Sequence, residues 1–464
     1  MAVRKGSRSR VILYPETTLG VDPGAPVGVV LPLNASTAGV SPTQARLDAP
    51  VWMGNRLPFS SILGMKTATG NYPVGLEFTA FGWLLKMFTG ASVAPLQNTG
   101  GASGAYAHYF QMLGNDPLPF QLQHEYLEAG ASTQFSGVPA IKRSRGVRGN
   151  GLKWAFSPSG PVVVGFDAMG TGDEVFTDLG GTKNDYGYAG KSYFNGMLVK
   201  KTPAFPAGQI LANVSGFNYA PSNNLSRVDV AFNDGLANDE IAGNTILSGD
   251  MTLLFRTDDD LQFYNEALND NICSLVCLWA DLPLDQCVNF LEVTIPLVKF
   301  SRGAINVGGP SALSLMQTFR GEYDSTATGQ CALAPFVLTK VMIPPTGITV
   351  PNPSNLGFKI DGGATVTKAL TPGSNYTATQ LLTDLSATGG ITGCTIDGYP
   401  QKPSGAYGHV RLRSNTKGTG GSIQCDTTVA NSAHALFGFN NTVYTGKAPD
   451  FQHVFLVNQQ STTY

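Results

Sequence analysis

Val138-Pro139-Ala140-Ile141-Lys142-Arg143-Ser144-Arg145-Gly146 returns 157 residues later as Ile295-Pro296-Leu297-Val298-Lys299-Phe300-Ser301-Arg302-Gly303, with Pro, Lys, Ser, Arg and Gly identical and two apolar positions conservative. A match of this length carries weight only if its flanks agree. Upstream of the first copy the sequence predicts a strand over 57–67, an apolar helix over 76–89 and an extended segment over 120–127. Upstream of the second it predicts a strand over 245–255, a short helix over 258–268 and an extended segment over 272–279. Both copies lead into a further strand-rich stretch, 152–167 and 312–323. A repeated strand, helix and hairpin unit points to assembly before catalysis.

Composition narrows the class. Charged residues are 13% of the chain, against about 25% in an average domain. With Gly 55, Pro 29 and many Val, Thr, Phe and Tyr runs, the 464 residues read as a mainly β protein of several domains. Low charge also suits a surface that meets other protein. A formal net charge of -2 gives no broad electrostatic grip on nucleic acid. Basic residues cluster at Arg4, Lys5, Arg8 and Arg10, and at Lys142, Arg143, Arg145 and Arg148. The first group reads as an arm that pairs with an acidic patch on a neighbouring subunit.

No secretory leader or membrane span is expected, because the first apolar stretch, Val11 to Tyr14, is cut short by Pro15 and Glu16 and no run approaches the required length. The cysteines Cys273, Cys277, Cys287, Cys331, Cys394 and Cys425 lack paired zinc spacing and read as reduced thiols serving as small hydrophobes.

The domain reading is an N-terminal strand and extended arm over 1–43, a first module over 44–172, a linker with a hairpin near Tyr186 to Met197 over 173–208, and a second module over 209–343. The arm is expected to need another surface to order it. After Pro344-Pro345 a small α+β domain follows over 344–450, with a helix capped by Thr377 or Ser374, and 451–464 reads as a strand returning to a sheet. In the helix over 76–89, Leu76, Phe78, Phe81, Leu84, Leu85 and Phe88 form an apolar face for a sheet. Thr257 with Asp258, Asp259 and Asp260 reads as a helix start and not as a calcium loop, which would need a central Gly and a terminal Glu.

Catalytic patterns are absent from the sequence. Gly190-Lys191-Ser192 lacks the Gly that a phosphate loop needs at position 185, which is Asp185. Gly101-Ala102-Ser103-Gly104 has its second Gly one place early for a nucleophile elbow. His108, His124, His409, His434 and His453 form no metal-binding pair. No catalytic, cofactor-binding or metal site is therefore assigned, and no enzyme is expected.

The element order resembles the major tail tube proteins of long-tailed bacteriophages. It is carried by the strand ending in Pro15-Glu16-Thr17-Thr18-Leu19-Gly20, the helix with Gly82-Trp83-Leu84-Leu85-Lys86, and Phe135-Ser136-Gly137-Val138. The second copy contributes Leu247-Ser248-Gly249-Asp250-Met251-Thr252 and Glu292-Val293-Thr294-Ile295-Pro296. The resemblance implies β-sandwich modules, each with a flanking helix, joined edge to edge into rings that stack as a tube for genome passage. Six modules usually make such a ring, so two per chain imply trimers with pseudo-sixfold symmetry, and a hexamer of single-module chains is the alternative if the repeat is spurious. It further implies a virion protein assembled in the bacterial cytoplasm, where sequons such as Asn375-Tyr376-Thr377 carry no meaning. The implied partners are further copies of itself, other tail proteins at the tube ends, and a tape measure protein and genomic DNA in a neutral or acidic lumen.

The last domain, with Thr379-Gln380-Leu381-Leu382-Thr383-Asp384-Leu385, Arg411-Leu412-Arg413-Ser414 and Ala435-Leu436-Phe437-Gly438, resembles a small module that decorates the outside of flagellar and phage tail tubes. Its tyrosines Tyr376, Tyr399 and Tyr407 are dispersed and form no sugar-binding cluster. Three other readings stay open: a tail terminator or distal ring component that does not polymerise, a carbohydrate-binding adhesin that works through residues 346–450, and a polysaccharide-degrading β enzyme that one Asp or Glu substitution would inactivate.

Overall fold

The computed structural model describes residues 9–33, 39–47, 62–90, 96–97, 106–111, 115–126, 140–156, 161–187, 196–202, 205–211, 214–230, 235–254, 261–282, 289–302, 304–306, 314–323, 336–339, 343–344, 346–387, 391–399, 407–417, 419–437, 439, 441–447 and 453–458. The first part runs β1 (Ser9–Pro15), β2 (Val27–Leu31), β3 (Gly39–Leu47), β4 (Ile62–Gly75), α1 (Phe78–Thr89), β5 (Leu96–Gln97), β6 (Tyr106–Gln111), β7 (Phe120–Tyr126), β8 (Ala140–Phe156), β9 (Val163–Val175) and β10 (Thr182–Asn184). Then come β11 (Gly196–Thr202), β12 (Phe205–Ile210), β13 (Val214–Ser222), β14 (Ser226–Asp229), β15 (Ala237–Ile241), β16 (Ile246–Leu254), α2 (Leu261–Leu268), β17 (Cys273–Ala280), β18 (Phe290–Phe300), β19 (Ala304–Asn306) and β20 (Ser314–Gly321).

Two sets of seven strands share one order. In the first, β2–β1–β7–β8–β9–β4–β3 are neighbours. In the second, β12–β11–β17–β18–β20–β16–β13 are neighbours. A helix follows the sixth strand of each set in the chain, α1 after β4 and α2 after β16. The registers coincide: β4 pairs Gly75 with Val163 and Ala68 with Gly170, and β16 pairs Leu254 with Ser314 and Leu247 with Gly321.

Local chemistry explains α1. Glu77 caps it, its carboxylate accepting from the amides of Thr79 at 3.0 Å and Ala80 at 2.6 Å. Gly90, with φ of 71°, ends it by donating to the Lys86 carbonyl. Between the caps, Phe81, Leu84, Leu85 and Phe88 are buried against the first set, each contributing roughly 1.5–3 kcal/mol.

The two sets meet at a strand joint. The far half of β8 leaves β7 and pairs with β13, matching Phe156 to Phe217, Ala155 to Asn218, Trp154 to Tyr219 and Gly151 to Ser222. Trp154 stacks on Tyr219 at 5.1 Å and lies parallel to Trp279, while Phe156 stacks on Trp279 at 4.9 Å. One apolar core therefore runs through both sets.

The structure departs from the sequence reading in register. The strand equivalences place Ala155 opposite Val163 where Asn306 stands opposite Ser314, so the first half of β18 corresponds to the start of β8. On that correspondence the nine-residue match is six places out of register, although the order of elements repeats. An even shift keeps each side chain on its face, which is why the motif still reads as the same strand. Gly146 sits at a bulge with φ of 59°, where the Glu16 carboxylate accepts its amide at 3.1 Å.

The described parts of the N-terminal segment pair within their own chain. There β1 lies between β2 and β7, with Ile12 and Leu13 fully buried, and β3 pairs with β4. The segment read as a linker contains β10, parallel to β2, and the hairpin β11–β12, whose first strand extends the sheet at β17. Part of the hairpin expected at 186–197 lies outside the described residues, as does Thr257.

The last part runs β21 (Phe336–Leu338), β22 (Ile348–Val350), β23 (Asn355–Ile360), β24 (Val366–Ala369), β25 (Gly373–Tyr376), α3 (Ala378–Ser386), β26 (Cys394–Gly398), β27 (Val410–Ser414), β28 (Ser422–Cys425) and β29 (Val443–Thr445). A second core of Leu356, Phe358, Leu381, Leu385, Leu412 and Phe437 holds it together. Thr377 caps α3 in a reciprocal box with Gln380. Finally β30 (His453–Asn458) returns to the large sheet between β18 and β6.

Candidate functional site

Eight strands, β3–β4–β9–β8–β13–β16–β20–β19, form one continuous antiparallel arc across both sets. Its two ends, β3 and β19, each pair on one edge only among the described residues. One face is core, with Tyr72, Val74, Phe166, Trp154, Tyr219, Met251 and Phe319 buried. The alternate positions carry mainly Thr, Asn, Ser, Gly and Ala, with Ile246 and Met316 also exposed there, in the expected period-two pattern.

Charge on this outward face nearly balances, with Asp167 and Asp250 against Arg148, Lys153 and Arg320, of which Arg148 is paired with Asp239. Asp167 pairs with Lys153 at 2.6 Å and accepts from Asn71 at 2.6 Å, and Asp250 accepts from Asn218 at 2.9 Å. The wall is polar but nearly neutral, and these carboxylates are already engaged.

The basic cluster on β8 is spent inside the chain. Lys142 pairs with Glu174 at 2.7 Å, Arg143 with Asp22 at 2.8 Å, Arg145 with Asp173 at 2.6 Å and Arg148 with Asp239 at 2.9 Å. Arg10 pairs with Glu125 of its own chain at 2.6 Å, joined there by Lys183. Burial pushes the Glu125 carboxyl up, but the bonds from Lys183, Arg10 and Gln123 outweigh it and hold it below its ordinary value. Arg4, Lys5 and Arg8 lie outside the described residues.

Glu240 on β15 behaves oppositely. It is fully buried, and burial raises its carboxyl to about 8 despite the attraction of Arg148 and Arg227. Arg148 donates to the Glu240 backbone carbonyl and Arg227 to that of Lys66, so the hairpin β14–β15 is pinned to β8 and β4.

All five histidines are buried. His124 bonds the Tyr72 hydroxyl at 3.0 Å, His453 that of Tyr109 at 2.6 Å, His409 donates to the Thr339 carbonyl at 2.6 Å, and His434 bridges Ser432 and Gly357. No group of three metal-ligating side chains occurs among the described residues. Cys273, Cys277, Cys394 and Cys425 are free thiols, and burial lifts that of Cys394 to about 11 and those of Cys277 and Cys425 further. Gly190 to Ser192, Gly101 to Ala105 and Asp258 to Asp260 lie outside the described residues. Among the described residues no helix is long and apolar enough to cross a membrane.

In the last unit the aromatics face inward. The Tyr376 hydroxyl donates to Asp384 at 2.6 Å, and the Tyr399 hydroxyl donates to Glu292 on β18. The Arg411 guanidinium lies 3.7 Å over the Tyr399 ring and grips Asp397 through two bonds. Sequence reading missed this dock and the aromatic joint at Trp154, because each unites residues far apart in the chain. The outlying Tyr399, away from any aromatic cluster, was the available signal.

None of the curated proteins compared matches the chain. A family model described as phage tail tube protein matches residues 6–321, which contain both strand sets and the whole arc, and the chain belongs to that family.

Proposed function

We propose that this structural phage tail protein polymerises as stacked rings into the tail tube and that the genome leaves through its bore. The observation that carries the reading is the eight-stranded arc with two open ends. An open sheet edge is a liability that ring closure removes. If the two strand sets, which run over 9–175 and 196–321, are copies of one tube module, three chains give pseudo-sixfold rings. Three arcs make a barrel of roughly 24 strands, and barrels of 16–18 strands already leave an aqueous channel. At ~4.8 Å between strands its backbone diameter is about 37 Å or more.

The outward face of the arc then lines the bore. Its neutrality suits passage, since basic walls would hold phosphates through counterion release. Residues 344–450 decorate the outside, a tape measure protein and DNA occupy the lumen, and other tail proteins bind the tube ends. Assembly takes place in the bacterial cytoplasm and the product resides in the virion.

Negative-stain electron microscopy with averaging tests this reading. Hollow tubes with three outer knobs per ring are expected. Six knobs would refute the two-module ring, and single closed rings at high concentration would point to a terminator or distal ring component.

A further inference from the structure

The joint inside the chain specifies the joint between chains. Resting on the ring reading above, we propose that β19 of one chain pairs antiparallel with β3 of the next, with Asn306 opposite Gly39, Ile305 opposite Val40 and Ala304 opposite Ser41.

The register follows from the internal joint. There the far half of β8 meets β13, with Ala155 opposite Asn218 and Trp154 opposite Tyr219. In the second set β19 stands where that half of β8 stands in the first, because Ala155 pairs with Val163 and Lys153 with Gly165, while Asn306 pairs with Ser314 and Ala304 with Met316. Likewise β3 stands where β13 stands: Gly39 and Ser41 pair with Asn71 and Thr69, and Asn218 and Ala220 pair with Asp250 and Ser248. The sequences agree with this placement. Val40-Ser41-Pro42-Thr43 aligns with Tyr219-Ala220-Pro221-Ser222, so one proline falls at the same point of β3 and β13. A proline is tolerated where the ladder does not require its missing N–H.

The occupant is a second copy because the arc offers one end of each kind. Each end has a counterpart already joined within the same chain. In the single chain, the outward edge of β3 is covered at Val40, whose amide donates to the Tyr72 hydroxyl at 2.7 Å and whose carbonyl accepts from Lys142 at 3.4 Å. Pairing exchanges these two bonds for backbone ones. The released groups keep His124 at 3.0 Å and Glu174 at 2.7 Å as partners.

Disulfide trapping in the full-length chain tests the register. Gly39→Cys with Asn306→Cys reproduces the Asn218 and Ala155 positions, and a Cβ at Gly39 meets nothing closer than 3.9 Å. Ser41→Cys with Ala304→Cys is a second pair that guards against a folding defect in the first. Gly39→Cys with Ala304→Cys is the displaced control, since a diagonal pair at ~7–8 Å is too far apart to bridge.

Under mild oxidation, both matched pairs should convert most tubes into covalent trimers on non-reducing gels, at least tenfold more than the displaced pair. Tubes that form without preferential trapping of either matched pair would overturn this register and leave the ring reading standing. Absence of tubes from the wild-type chain would overturn the ring reading and this inference with it.

Discussion

Trp154 on β8 and Tyr219 on β13 face each other with ring centroids 5.1 Å apart, across the line where the two strand sets meet. Phe81 of α1 meets the same indole edge-on at 5.8 Å. One side chain thus ties helix, first set and second set together.

Trp154→Ala should destabilise the chain by ~3–5 kcal/mol, through lost transfer energy and an unfilled cavity. Trp154→Phe should cost less. The check is urea unfolding of both variants, and equal stability of Trp154→Ala and wild type would show that the joint contributes little.

Glu240 predicts a pH dependence. Its carboxyl is raised to about 8 in the folded chain, so between its unfolded value near 4.5 and about 8 the unfolded chain ionises while the folded chain holds its proton. The contribution is full below the unfolded value and is lost as pH rises through the folded one, by on the order of a few kcal/mol. Comparing unfolding midpoints of wild type and Glu240→Gln across this range should show the slope flattened in the variant.

The Tyr399 hydroxyl is a polar tie between the last unit and the large sheet. Removing it with Tyr399→Phe leaves the buried Glu292 carboxylate short of a donor, at a cost of ~1–3 kcal/mol. Limited proteolysis should then cut between the two bodies faster, with little change in tube formation.

Because the cations of 142–148 are paired within the chain, duplex DNA should bind no more tightly than ~10⁻⁴ M at physiological salt. Fluorescence anisotropy with a labelled duplex reads this directly. Saturation at micromolar protein would contradict the balanced wall.

Much of this architecture was legible in the sequence, for reasons that differ by element. The apolar face of Phe81, Leu84, Leu85 and Phe88 fixes α1 locally, and Thr377 with Gln380 fixes the start of α3. The register of the repeat was not legible, since alternating strands tolerate a six-residue slip without moving a side chain to the other face. Nor were the roles of Lys142, Arg143, Arg145 and Arg148, whose partners Glu174, Asp22, Asp173 and Asp239 come from three separate stretches of chain. The residues on the outward face of the arc emerge from strand pairing alone.

The position of β30 sets an order of events in synthesis. Its neighbours β6 and β18 leave the ribosome first, and an entire independently cored unit must follow before the strand that lies between them is made. Until then the nascent chain carries two bare edges that no local contact can close, and such long-range pairing is slow to form. A polypeptide interrupted in the last unit would lack the strand that closes this gap, and the edges of β6 and β18 that β30 covers would stay open.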